Sequence, residues 1–190
     1  LNTELKGYID FRDRDSQLKL AISGAEAERL LETTDLSLPG DGLLSGSIKA
    51  VNILETPHLS GQVKAQEGQL YGQPYQQLNL DFNYQNNKFI INDFVGSYRE
   101  TRIQASGRVL DKKLDITARG EEINLQDLSF LPELESMRGR AEIEARLEGT
   151  LADPCGRGII SGEQVYFKDY NLGSITAEMH YEQPNLYIKR

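Results

Sequence analysis

The chain has no tryptophan, one cysteine and two histidines among 190 residues, and each shortage removes a class of explanation. Cys155 alone cannot close an internal disulfide, so oxidative stapling contributes nothing to the fold, and the small thiol beside a turn reads as incidental. No apolar run approaches the ~20 residues needed to cross a bilayer as a helix, and no signal peptide opens the chain. Positive charge is also short: 21 basic against 29 acidic residues leave a formal charge of -8, and the lysines and arginines never gather into a run. Phosphate neutralisation needs concentrated positive charge, so nucleic acid is excluded as the expected partner, and so is a membrane reached through a polybasic patch.

Catalytic groupings are equally scarce. His58 sits beside a turn proline and His180 on the polar phase of a strand, neither with a cysteine or acidic ligand at metal spacing. The acidic pairs Asp13/Asp15 and Glu121/Glu122 lack the oxygen-rich loop spacing of a calcium site and read as solvated loop charge. Gly40, Gly42 and Gly46 are not followed by the Lys-Ser/Thr of a phosphate loop, so turn duty is expected of them. A nucleophile elbow is missing too. The expectation is a protein that is not an enzyme, with no cofactor and no metal.

What the sequence does contain is repetition. Pro57-x-x-x-Gly61 returns as Pro154-x-x-x-Gly158, an offset of 97 (154 − 57). At the same offset Val63 falls on Ile160, Leu70 on Phe167, Leu78 on Ile175, Leu80 on Ala177, Phe82 on Met179, Tyr84 on Tyr181, Phe89 on Leu186 and Ile91 on Ile188. Upstream, with small length changes, Leu44-x-Gly46 matches Met137-x-Gly139, and Leu18, Leu20, Ile22, Gly24 match Leu114, Ile116, Ala118, Gly120. Two similar units, about 1–96 and 97–190, follow from this comparison, together forming one elongated β segment. The chain starts without methionine and stops after an alternating segment, so it is expected to be a fragment of a longer protein.

Most of each unit alternates with period two, as in Leu78 to Tyr84, Ile103 to Val109 and Ala141 to Leu147, which places one face of each strand in an apolar setting. Short polar links at Gln85–Lys88 and Leu110–Lys113 predict antiparallel hairpins. Two stretches break the pattern. Ala25 to Thr34, with Ala27, Leu30 and Leu31, and Ile123 to Leu134, with Leu125, Leu128 and Leu131, have helical spacing; Asn124 suits an N-cap, and Pro39 and Pro132 fall near the expected ends. The expectation is a mostly β fold: a curled antiparallel sheet with two short helices, stacked in a quasi-one-dimensional way.

Exposing a mid-sized apolar side chain costs ~1.5–3 kcal/mol, so a long sheet with one apolar face must curl, pack on another sheet or be filled by something apolar. Small inward residues such as Ala105, Gly107, Ala118, Gly120, Ala145 and Ala177 favour a curled sheet with room along its axis. From periodicity alone, an ordinary closed core is the competing arrangement.

The order of elements, carried by Leu125-x-x-Leu128-x-x-Leu131, Met137-x-Gly139, Ala141 to Gly149 and Pro154-x-x-x-Gly158, resembles the repetitive region of TamB-like proteins, relatives of AsmA. Leu44-x-Gly46, Pro57-x-x-x-Gly61 and Gly68-Gln69-Leu70-Tyr71-Gly72 carry it in the first copy, so the resemblance covers nearly the whole chain. It implies a half-open, taco-shaped β-tube with an apolar interior, in a periplasmic protein anchored to the inner membrane, or in a relative in the plastid intermembrane space. It further implies movement of phospholipid between inner and outer membranes, and support of outer-membrane biogenesis with a TamA- or BamA-like barrel that parts outside this fragment would contact. Phospholipid acyl chains would then lie on a floor formed by Ile48, Val63, Leu78, Leu80, Phe82, Tyr84, Phe89, Ile91, Val109, Ile116, Ile143, Leu147, Ile160, Phe167, Ile175, Met179, Tyr181, Leu186 and Ile188. A rigid β-repeat spacer or adhesin-like module, binding protein or glycan through Tyr71, Tyr75 and Tyr170, is the alternative. A polysaccharide-cleaving solenoid ranks last because the carboxylates are scattered.

Overall fold

A computed structural model describes residues 2–9, 16–27, 40–70, 73–128, 135–150, 152–182 and 185–189. They form twelve strands: β1 (Asn2–Ile9), β2 (Ser16–Glu26), β3 (Leu43–Val51), β4 (His58–Leu70), β5 (Gln73–Gln85), β6 (Lys88–Tyr98), β7 (Thr101–Leu110), β8 (Lys113–Asn124), β9 (Met137–Gly149), β10 (Pro154–Phe167), β11 (Tyr170–Glu182) and β12 (Asn185–Lys189). The chain divides into two compact units, Leu1–Gly96 and Ser97–Arg190. In each, the hydrogen-bonded order of strands is their order along the chain, an antiparallel meander that does not close on itself.

The meander follows from turn chemistry. Asn86 and Asn87 have φ of 52° and 58°, and Asp111 and Lys112 of 49° and 64°, the mirror-image turn whose twist matches paired strands. Asparagine and aspartate tolerate that region better than most residues, so the two polar links predicted as hairpins fold as such.

Neither expected amphipathic helix is found among the described residues. Ala25 and Glu26 finish β2, and 28–34 lies outside the described residues. Ile123 and Asn124 finish β8, Leu125–Leu128 makes one 3-10 turn, and 129–134 lies outside. The cause is a bulge that imitates helical spacing. In β2 the pairing slips between Ile22 and Ala25, in β8 between Gly120 and Ile123, and in β10 between Gly162 and Val165. Each slip contains a residue of positive φ: Gly24 at 62°, Glu122 at 52°, Gln164 at 51°. One extra residue turns a spacing of two into three while keeping both apolar side chains on the same face.

The bulges also correct the alignment of the two copies. Leu44 pairs with Ala25 directly after the first bulge, and Ala141 pairs with Ile123 directly after the second, so Leu44 corresponds to Ala141 rather than to Met137. By the same criterion Ile22 corresponds to Gly120, an offset of 98 (120 − 22), and Gly24 to Glu122. Gly46, expected in a turn, lies inside β3. Its φ is 153°, and a Cβ there would stand 2.2 Å from the Gln62 carbonyl oxygen, so only glycine fits this close approach of β3 to β4. Glu121 and Glu122, expected in a loop, lie in β8 and pair with Arg119 and Arg140.

Candidate functional site

Directly paired residues of neighbouring strands share a face, so the registers assign every side chain to one side. In the first unit they give the rows Leu18, Ala50, Leu59, Tyr84; Leu20, Ile48, Gly61, Phe82; Ile22, Gly46, Val63, Leu80; and Ala25, Leu44, Ala65, Leu78. Phe89 joins this face by stacking on Phe82, centroids 5.2 Å apart and planes 21° apart, and Ile91, two residues further along β6, shares its side. The expected floor residues of the first unit are therefore brought together.

The second unit repeats the arrangement. Its rows are Gly107, Ile116, Leu147, Gly156, Tyr181, Leu186; Ala105, Ala118, Ala145, Gly158, Met179, Ile188; Ile103, Gly120, Ile143, Ile160, Ala177; and Ile123, Ala141, Gly162, Ile175. Val109 follows opposite Leu114. Leu186 and Ile188 are assigned by backbone register, their side chains lying outside the described residues. Phe167 is set apart from the rest: it pairs with Met137 at the end of the sheet, is 42% exposed, and has the Lys168 ammonium 5.6 Å from its ring centre.

The face is unevenly covered. Ile123, Leu125, Ala141, Ile160, Val165 and Met179 form a buried cluster beside the bulges. The 3-10 turn folds Leu125 into it, held by Thr101, whose hydroxyl donates to the Asp127 carboxylate (3.0 Å) and accepts from the Asn124 N–H (3.2 Å), and by the Arg99–Asp127 ion pair (3.2 Å). Away from the bulges, Ile48, Val63, Leu78, Leu80, Tyr84, Phe89, Ile91, Val109, Ile116, Leu147 and Tyr181 keep part of their surface open. Among the described residues all the strands belong to the meanders.

Sequence reasoning left Ala25, Ile123 and Val165 off the floor, although all three are fully buried on it. Their signal was the three-residue step after Gly24, Glu122 and Gln164, which looks helical until the bulge is recognised.

The opposite face is polar, with a different chemistry in each unit. In the first, Asp81 accepts from the Gln62 and Asn92 amides (2.7 and 2.6 Å), and these hydrogen bonds hold its carboxyl below the usual carboxylate range. In the second, arginines alternate with carboxylates: Arg146 meets Asp115 (2.8 Å) and Glu148 (3.1 Å), Arg108 meets Asp115 (3.2 Å), and Arg119 meets Glu121 (3.3 Å) and Glu144 (3.6 Å). His180 lies on this face, 3.6 Å from Glu178, and His58 pairs with Val51 and Gln85. No group of three or more metal-ligating side chains occurs among the described residues.

Of the tyrosines considered as binding platforms, Tyr75 is buried, donating its hydroxyl to the Asp41 carbonyl (2.5 Å). Burial, and then the charge of Asp41, push its pKa up. Tyr170 is 73% exposed, and Tyr71 lies outside the described residues. Comparison with protein-family models, with curated proteins and with solved structures finds no match for this chain.

Proposed function

We propose that this chain is a non-catalytic segment of a bridge-like envelope protein of the TamB type, whose apolar sheet face carries phospholipid acyl chains between inner and outer membranes. The supporting observation is the register: in both units successive strands deliver their apolar side chains to one face, row after row, and much of that face stays partly exposed. Leaving such side chains in water is costly, and acyl chains, which need no directional hydrogen bonds, relieve that cost while remaining free to slide. Head groups would stay at the water boundary. The periplasmic or plastid intermembrane setting, the inner-membrane anchor, and the TamA- or BamA-like partner of the longer protein belong to the same proposal.

Native mass spectrometry of the chain purified from a diderm host tests it. Bound phospholipid, lost when Leu80 and Ile143 are replaced by aspartate, is the expected result; a lipid-free chain that also takes up none from added phospholipid contradicts the reading.

One observation favours the spacer or adhesin-like module instead. At the β10–β11 hairpin, Phe167 and Tyr170 pair directly and are both exposed, apolar surface of the kind that docks protein or glycan. If Tyr170→Ser abolishes capture of a partner while lipid content is unchanged, that role belongs to the hairpin.

A further inference from the structure

We infer that the polar face of the first unit holds a binding site for a phosphate group, centred on Lys19 and Lys49. It lies on the opposite side of the sheet from the apolar rows and does not depend on their function. The register sets Lys6 opposite Lys19 and Lys19 opposite Lys49, on β1, β2 and β3. Adjacent strands are ~4.8 Å apart, so these lysines form one cross-strand row on the polar face. Like charges placed directly opposite destabilise a sheet unless something neutralises them. Lys6 has Glu4 at 2.5 Å, but neither Lys19 nor Lys49 enters an ion pair among the described residues.

The second unit shows what neutralisation by the protein itself looks like. The position equivalent to Lys49 is Arg146, at the offset of 97 that also relates Gly61 to Gly158 (146 − 49 and 158 − 61). Arg146 is flanked by Asp115 and Glu148. The equivalents of those carboxylates in the first unit are Gln17 and Val51, which pair with each other and carry no charge. The fold thus keeps the cation and removes its anions.

The surroundings suit a tetrahedral oxyanion. Lys19 and Lys49 line a surface hollow with Ser47, Ser60 and Gln62, all able to donate hydrogen bonds. The one carboxylate in the lining, Asp81, is on β5, two strands from Lys49, and is already engaged by the Gln62 and Asn92 amides. Two ammonium groups beside two hydroxyls recognise a phosphate by charge and by hydrogen bonds together.

The test is a nuclear magnetic resonance titration of the whole chain with inorganic phosphate, with glycerol 3-phosphate, and with vesicles of phosphatidylglycerol or phosphatidylcholine. The inference expects shifts at Ser47 and Ser60, binding about tenfold weaker in Lys19→Gln and in Lys49→Gln, as for loss of one charge-assisted hydrogen bond, and unchanged binding in Arg146→Gln. Lys19→Glu should abolish binding while the urea midpoint holds or rises, because the new carboxylate faces Lys49; this separates loss of the site from loss of the fold. Capture by phosphatidylglycerol but not phosphatidylcholine vesicles would assign the phosphate to a lipid head group, and binding of inorganic phosphate and glycerol 3-phosphate alone would assign it to a free phosphate. Absence of binding by all four probes, or binding that survives both glutamine substitutions, would overturn the site.

Discussion

Two isoleucines on the same face of the second unit should behave differently when cut back to alanine. Ile123 is fully enclosed beside Leu125 and Val165, whereas Ile116, between Gly107 and Leu147, keeps part of its surface open. Removing a buried isoleucine side chain costs ~2–5 kcal/mol, the lost transfer energy plus the cavity left behind. At Ile116 there is little cavity to create, and only the apolar area actually withdrawn from water is lost, so ~1 kcal/mol is expected. Urea denaturation followed by circular dichroism measures both, provided the slope with denaturant is unchanged. Added short-chain phospholipid should stabilise the parent chain by about 2.7 kcal/mol at one hundred times its dissociation constant, and Ile116→Ala less. Equal costs at the two positions, both above about 3 kcal/mol, would mean a solid core and would refute the open face.

Gly46→Ala forces a Cβ against the Gln62 carbonyl at a backbone angle that L residues avoid, and should lower stability by about 1–3 kcal/mol in the same denaturation assay. Thr101→Val leaves the Asn124 N–H and the Asp127 carboxylate without the hydroxyl they share; a loss of about 1–3 kcal/mol, with faster hydrogen exchange at Leu125 and Gln126, is the expected outcome. The folded chain holds the Asp81 pKa below its unfolded value, so its contribution is complete above the ordinary carboxylate range, ~pH 4, and disappears as the pH falls through the lowered value. The acid side of the stability profile should accordingly be shallower in Asp81→Asn.

Much of the fold is legible in the sequence where local chemistry decides it. Alternation fixes the face of Leu78 to Tyr84, and the links at Asn86-Asn87 and Asp111-Lys112 fix the hairpins. Legibility ends at the bulges. Ile22 to Ala25 and Gly120 to Ile123 carry the three-residue step of a helix, and only strand pairing, a long-range property, shows it to be one extra residue in a strand. The same slip misaligned Leu44 with Met137, because an x-Gly pair repeats nearby by coincidence. Of the site, the apolar face was readable from period two. The lysine row was not, since Lys6, Lys19 and Lys49 are far apart along the chain and meet only through the register.

The most direct test places a photo-crosslinking amino acid at Leu80 and Met179 on the apolar face, and at Gln104 and Arg157 on the polar face, in the chain produced in a diderm host. Phospholipid adducts at Leu80 and Met179 and none at Gln104 and Arg157 are predicted; lipid adducts absent from both apolar positions, while protein adducts form there, would contradict the account.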